Sequence, residues 1–393
     1  MPDLFESLGQ RLAAEWKQHK VEKKLSRRYR CRCGAPVFFR NTECLTCKSA
    51  LGYLPEAASL LTLDAGPEPG AVHAEGHEGP YKLCANRETP ALCNWLLSAG
   101  DPNPLCIACR LNRTIPNLDE ADNARYWSAI ELAKRRLVTQ LLALGLPVKS
   151  KVDEDPERGL MFDFLRSPPN GPAVMTGHAN GLITMNVEEA DDVKREKIKH
   201  DLHEPYRTLL GHFRHEVGHY YWDRLVRDSA WLARFRELYG DERASYAEAL
   251  KRNYEQGPPA DWVNSYISSY ATMHPWEDWA ETWAHYLHVV DSLGTALGFG
   301  LGAEELEATI KPFARDDLFA PDDPGAAQFL SLLNSWVEMV VVLNELARSM
   351  GESDFYPFVM SKPVVAKLQL VQMIVAGERN EATASQDAAS VPG

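Results

Sequence analysis

Hydrophobic positions recur at helical spacing in several stretches of the chain. Between residues 209 and 226, Leu209, Leu210, Phe213, Val217, Tyr220 and Leu225 form one apolar face, which predicts a buried helix. Tyr126, Ile130, Ala133, Leu137, Leu141 and Leu144 predict an amphipathic helix over 123–144, stopped by Gly145 and Pro147. Residues 329–350 and 364–375 predict two further helices, and Leu4, Leu8, Leu12 and Trp16 stripe an exposed helix over 1–28. Residues 160–165, 173–176 and 182–186 read as strands, with a turn at His178-Ala-Asn180-Gly181. The last of these strands, lying just before the 209–226 helix, is expected at a sheet edge bordering the cleft, open to an added peptide strand. Residues 55–80, rich in Pro, Gly and Glu, read as a partly ordered connector, and the Ala/Ser/Glu-rich tail 377–393 as disordered.

Composition adds limits. A chain of 393 residues has room for two or three domains, and 45% hydrophobic with 25% charged residues is ordinary for a globular protein. The start is amphipathic and charged, unlike a secretion signal, and no run of about 18 apolar residues occurs. The expectation is a cytoplasmic protein that does not engage a membrane. Net charge is −13, yet residues 1–50 carry 11 Lys/Arg against 5 Asp/Glu. An acidic body argues against broad nucleic-acid binding, while the basic head, with Lys23, Lys24, Arg27, Arg28, Arg30 and Arg32, leaves room for a nucleic-acid or protein partner there.

All eight cysteines lie between Cys31 and Cys109. In a chain without a secretion signal this favours metal thiolates over disulfides. Cys31, Cys33, Cys44 and Cys47 form two knuckles around a hairpin, with a strand expected over 35–40 and a turn at Asn41-Thr42; this is a zinc ribbon in which C-x-C replaces the usual first C-x-x-C. Cys84, Cys93, Cys106 and Cys109 form a second quartet, and ligand exchange between the quartets stays open. His73 and His77, between them, read as solvated bystanders.

The richest chemistry is His215-Glu216-Val217-Gly218-His219. Residues four apart on a helix share a face, so two imidazoles can converge on one zinc ion, while Glu216 is rotated away and can act as a base. Gly218 suggests close approach of another backbone. A zinc hydrolase needs a third ligand, and Glu277, Asp278 and Glu281 in Pro275-Trp-Glu-Asp-Trp-Ala-Glu-Thr-Trp-Ala-His285 are the candidates. Of Glu277 and Glu281, four apart, one can bind metal while the other hydrogen-bonds a ligating imidazole. Asp278 is an alternative ligand on an adjacent face. Trp276, Trp279 and Trp283 would bury the neighbouring stripe. His212 reads as a residue of the cleft rim, His285 and His288 as core or rim histidines, and Tyr220, Tyr221 and Trp222 as packing.

The histidine motif followed by Glu277-Asp-Trp-Ala-Glu281 resembles the gluzincin pattern of zinc metallopeptidases. In its E-x-x-A-E variety the first glutamate is the ligand and the second supports a ligating side chain, which implies Glu277 and Glu281 in those roles. That variety carries a tyrosine seven residues before the ligand, here Tyr270. With the ribbon included, most of residues 30–375 resemble a bacterial family of zinc-binding metallopeptidases with an N-terminal zinc ribbon.

The expected fold is α+β: a mainly helical zincin-like domain with a small sheet (119–376), after a β zinc-ribbon module (29–118) and the basic helix (1–28). One catalytic zinc and one or two structural zincs are expected. The expected activity is peptide-bond hydrolysis of a peptide or protein substrate, with Glu216 as general base and Tyr270 helping to hold the oxyanion. The alternatives are a non-catalytic ribbon adaptor and hydrolysis of a non-peptide amide.

Overall fold

The computed structural model describes residues 27–196, 208–301 and 312–389, with side chains to 379. The helix and the lysines expected before Arg27 lie outside these residues. The fold is α+β and divides into two compact units, one covering Val21–Lys197 and the other containing Ile198–Gly393.

In the first unit, β1 (Tyr29–Arg30) pairs with β2 (Pro36–Val37) around the Cys31–Cys33 knuckle. The ribbon hairpin thus straddles the first knuckle, where the sequence suggested a strand over 35–40 between the two. A five-stranded antiparallel meander follows: β3 (Leu51–Leu54), β4 (Ser59–Ala65), β5 (Ala71–Ala74), β6 (Tyr81–Leu83) and β7 (Leu96–Ser98). Residues 55–80 therefore supply two strands of this sheet, β4 and β5. Their strands are short and broken by tight turns, with Gly70, Gly76 and Gly79 at φ 81°, 75° and 95°, so no long alternation marks them. Leu54, Leu63, Ala74 and Leu96 form the meander core. Tyr53 joins it to the ribbon through Tyr29, Phe39 and Trp95 at centroid distances of 6.2, 5.1 and 5.0 Å. His73 and His77 face solvent.

Then come β8 (Asn112–Thr114), α1 (Asn123–Ala143), β9 (Met161–Leu165), β10 (Gly177–Ala179) and β11 (Leu182–Asn186). The strand expected over 173–176 lies slightly later, at β10. Asn180 and Gly181, at φ 49° and 76°, make the tight β10–β11 turn. Sheet order is β10-β11-β9-β8, so β11 is interior and paired on both sides. The expectation that it forms an edge open to an added peptide is corrected.

The second unit is helical: α2 (Leu209–Tyr221), continued by a π turn over Trp222–Val226, α3 (Trp231–Tyr239), α4 (Tyr246–Gln256), α5 (Pro275–Gly298), α6 (Ala326–Ser349) and α7 (Lys362–Ala389). Phe213, Val217 and Tyr221 of α2 and Trp279 and Trp283 of α5 are fully buried. Tyr221 stacks on Trp283 at 5.0 Å, and Phe235 and Tyr239 of α3 pack on Trp279 at 6.0 and 5.8 Å. By length and composition α6 could cross a membrane, a match the sequence expectation did not foresee. It buries Phe329, Leu332, Leu333 and Trp336. The tail expected to be disordered from 377 is helical through Ala389, as its Ala, Glu, Gln and Arg favour.

Candidate metal centre

Thr208 caps α2, its hydroxyl accepting from the Gly211 amide at 2.9 Å. One turn into the helix, His215 and His219 share a face, with their Nε2 atoms 3.2 Å apart. His274 caps α5, and Pro275 occupies its first position, where a proline costs no hydrogen bond. The first turn of α5 thereby carries Glu277 opposite the two histidines. Glu277 Oε2 lies 3.0 Å from His215 Nε2 and 3.6 Å from His219 Nε2. Tetrahedral zinc with bonds of roughly 2.0–2.1 Å sets donor atoms about 3.3 Å apart, so this triangle fits the ion.

Gly218 lets the two helices meet. A Cβ there would sit 3.0 Å from Ala280 Cα and 3.2 Å from Trp283 Cβ. The Trp279 indole N–H donates to the Gly218 carbonyl at 2.9 Å, fixing the crossing. Trp276 lies over the His219 ring, centroids 4.0 Å apart, so it belongs to the site and not to the buried stripe of Trp279 and Trp283.

The residues that support these ligands are buried or half-buried. His215 Nδ1 meets Glu281 Oε1 at 2.7 Å, and the other Glu281 oxygen accepts from the Ser268 hydroxyl at 2.6 Å. Burial lowers the proton affinity of His215, but hydrogen bonds to Glu277 and Glu281 outweigh it and hold the imidazole well above its usual range. Burial also works against the Glu281 carboxylate, yet His215 pulls it down to about 2. The two carboxylates aimed at this imidazole would suit a cation held beside it. Glu216 is 8% exposed, and its Oε2 has no hydrogen-bond partner. Burial raises its carboxyl above the ordinary value.

Asp278 points elsewhere: its Oδ2 accepts from Lys367 Nζ of α7 at 2.6 Å. Burial pushes it up to about 7 although Lys367 opposes this. It takes no part in the donor triangle, and the alternative ligand is set aside. Tyr270 sits in a single 3₁₀ turn with its ring 5.9 Å from His215. Burial and then Glu277 raise its phenol. His285 Nδ1 meets the Tyr356 hydroxyl at 2.7 Å, and Arg214 pairs with Asp291 at 2.7 Å and with His288; these are core contacts. Tyr220, Tyr221 and Trp222 are buried packing, and His212 is half-buried.

Sequence reading missed Tyr246, whose hydroxyl donates to Glu277 Oε1 at 2.9 Å, and Ser268. Neither stands in a periodic or motif relation to the histidines.

Each cysteine quartet gathers into its own cluster, so no ligand is exchanged between them. Cys31 and Cys47 Sγ are 3.5 Å apart, Cys33 and Cys44 3.7 Å, and Cys93 and Cys106 3.7 Å. A tetrahedron of Zn–S bonds near 2.3 Å has edges of roughly 3.8 Å. The second quartet is fully buried beside α1, which carries Glu131, Lys134 and Arg135. Lys134 binds Glu131 at 2.7 Å, and the Arg135 Nη2 donates to the Ala91 carbonyl at 2.9 Å. Burial lowers the Arg135 pKa, but Cys93, Glu131 and Cys109 outweigh it and raise the guanidinium. Four thiolates around Zn²⁺ carry a net −2 charge, and these buried cations suit it.

Fold and donor sets together define a zinc-binding protein with a thiolate-rich N-terminal module. The chain belongs to the family described as "Putative zinc-binding metallo-peptidase", whose model matches residues 123–374. A zinc-ribbon domain model matches residues 28–120. Uncharacterized proteins of Mycobacterium bovis and of two Mycobacterium tuberculosis strains are each 42% identical over 344 residues, covering 87% of this chain and 93% of the relative. No solved structure matches the chain.

Proposed function

We propose that the protein is a zinc-dependent peptidase whose metal is held by His215, His219 and Glu277. The observation that carries this reading is Glu216: a buried carboxylate with one unpartnered oxygen beside a three-donor triangle. A purely structural metal site has no use for a base there. Zinc held by these three residues would supply a water with pKa near 7 and a Lewis acid for the scissile carbonyl. Glu216 takes the proton of the attacking water and delivers it to the leaving amine. Glu281, fixed by Ser268, keeps His215 Nε2 aimed at the metal. Tyr270 is assigned to the oxyanion, a donor worth roughly 3 kcal/mol.

A Glu216→Gln chain should keep its zinc and lose at least about 100-fold in peptide cleavage, read by mass spectrometry on a peptide library. Undiminished cleavage would remove Glu216 from the mechanism. Zinc per chain, read beside His215→Ala, should fall from three to two. An unchanged count would leave metal only at the cysteines and turn the reading toward a non-catalytic adaptor. For that second reading the ribbon offers exposed apolar and basic side chains: Phe38 and Leu45 are 64% and 79% exposed, and Arg28, Arg30, Arg40 and Lys48 are exposed too. Salt-dependent binding of single-stranded nucleic acid by the full chain would support it.

A further inference from the structure

Glu277 has two oxygens, and only one faces the histidines. Oε2 approaches both Nε2 atoms, while Oε1 accepts the Tyr246 hydroxyl at 2.9 Å. Tyr246 is the first residue of α4, a helix that buries only Ala249. Core packing of α4 thus says little about why its first side chain should reach a carboxylate that is 2% exposed.

The placement of that side chain is specified from three directions. Ser245 caps α4, accepting from the Glu248 amide at 3.3 Å. His274 ties the start of α4 to the start of α5: its Nδ1 accepts from the Trp276 amide at 3.1 Å, which leaves Nε2–H to donate to the Ala244 carbonyl at 3.0 Å. The Tyr246 ring then packs on His274 and Trp276, centroids 5.4 and 6.4 Å away.

We propose that Tyr246 is a positioning residue: by occupying Glu277 Oε1 it leaves Oε2 as the one metal-facing oxygen. The assignment rests on the metal centre proposed above. A carboxylate with both oxygens free can pivot or bind a metal through both, closing the position a substrate needs. A phenol on one oxygen prevents this and adds no charge that would compete for the cation.

The test is Tyr246→Phe in the full-length chain, which keeps the ring packing and removes only the hydroxyl. A chelator first strips the accessible site while the cysteine quartets stay loaded, and zinc is then returned from buffered solutions. The proposal expects zinc affinity to fall about 10- to 100-fold, as for lost partners of metal ligands elsewhere. It expects an unchanged melting temperature at saturating zinc. With Co²⁺ in place of the returned zinc, the visible absorption should weaken as Glu277 binds through both oxygens and coordination rises.

Affinity within twofold of wild type together with an unchanged cobalt spectrum would overturn the assignment. So would a lowered melting temperature at saturating zinc, which would mark Tyr246 as packing. His215→Ala serves as the control. If that variant has lost the site while Tyr246→Phe behaves as wild type, Tyr246 alone is misassigned. If it takes up as much zinc as wild type, the metal centre falls and the proposal falls with it.

Discussion

Gly218 sits between the two histidines of the motif, and its missing side chain is what brings α2 against α5. Alanine there gains about 1 kcal/mol of helix propensity. The same methyl meets Ala280 Cα at 3.0 Å, a backbone atom that cannot swing aside. Overpacking of this kind costs about 1–3 kcal/mol. Gly218→Ala should therefore lower the urea midpoint and, by pushing Glu277 away from His215 and His219, weaken zinc uptake. A variant more stable than wild type with full zinc would mean that the crossing is loose. At this scale the sequence was informative wherever one helical turn fixes geometry: residues at i and i+4 must share a face, so His215, Glu216 and His219 were legible at once. Choosing between Glu277 and Asp278 was not possible from spacing alone. What separates them is Lys367, far along the chain, which takes Asp278. Tyr246 and Ser268 were invisible for the same reason, since only tertiary folding brings them near the histidines.

The element that does most is α5, whose faces serve different ends. Glu277 and Glu281 turn toward α2, Asp278 toward α7, and His285 packs against Tyr356 and Phe358 at 5.4 and 4.4 Å. Burial lowers His285 to about 4. Unfolded, it titrates near 6.5. Above pH 6.5 both states are neutral and His285 adds no pH dependence. Below that the unfolded chain takes up a proton the folded chain resists, so stability falls as pH drops from about 6.5 to 4. The full loss is about 3 kcal/mol. His285→Phe should flatten this limb when denaturant midpoints are compared at pH 7 and pH 5; an equally steep acid loss in the variant would assign the effect to other groups. Helices such as α1, α2 and α6 were legible because their apolar stripes persist for several turns. The meander was not, because strands of three to seven residues broken by Gly and Pro turns carry too few alternations to stand out from a connector.

Across the molecule, the two compact units rest on different sources of stability. The helical unit buries large aromatic side chains, among them Phe213, Phe235, Trp279, Trp283 and Phe329. Its metal centre joins α2 to α5, which already interlock at Gly218, so metal loss should leave that core standing. The other unit holds both cysteine quartets in the turns between short strands, and its second quartet faces buried Lys134 and Arg135. Structural zinc contributes about 10–16 kcal/mol to small zinc-finger folds at neutral pH. Removing it here takes away both the crosslinks and the counter-charge, and uncompensated buried cations are costly. Calorimetry in a strong thiol-competent chelator should therefore split the unfolding of the zinc-loaded chain, with a low-temperature transition absent when zinc is returned. Limited proteolysis should cut first within residues 27–196 and spare 208–301. Arg135→Met, which removes one buried cation while keeping a long side chain, should weaken zinc retention by the second quartet and shift only the lower transition. A single cooperative transition at the same temperature with and without chelator would mean that the cysteine module stands without its metal. The buried arginine would then have to be explained by Glu131 and the Ala91 carbonyl alone.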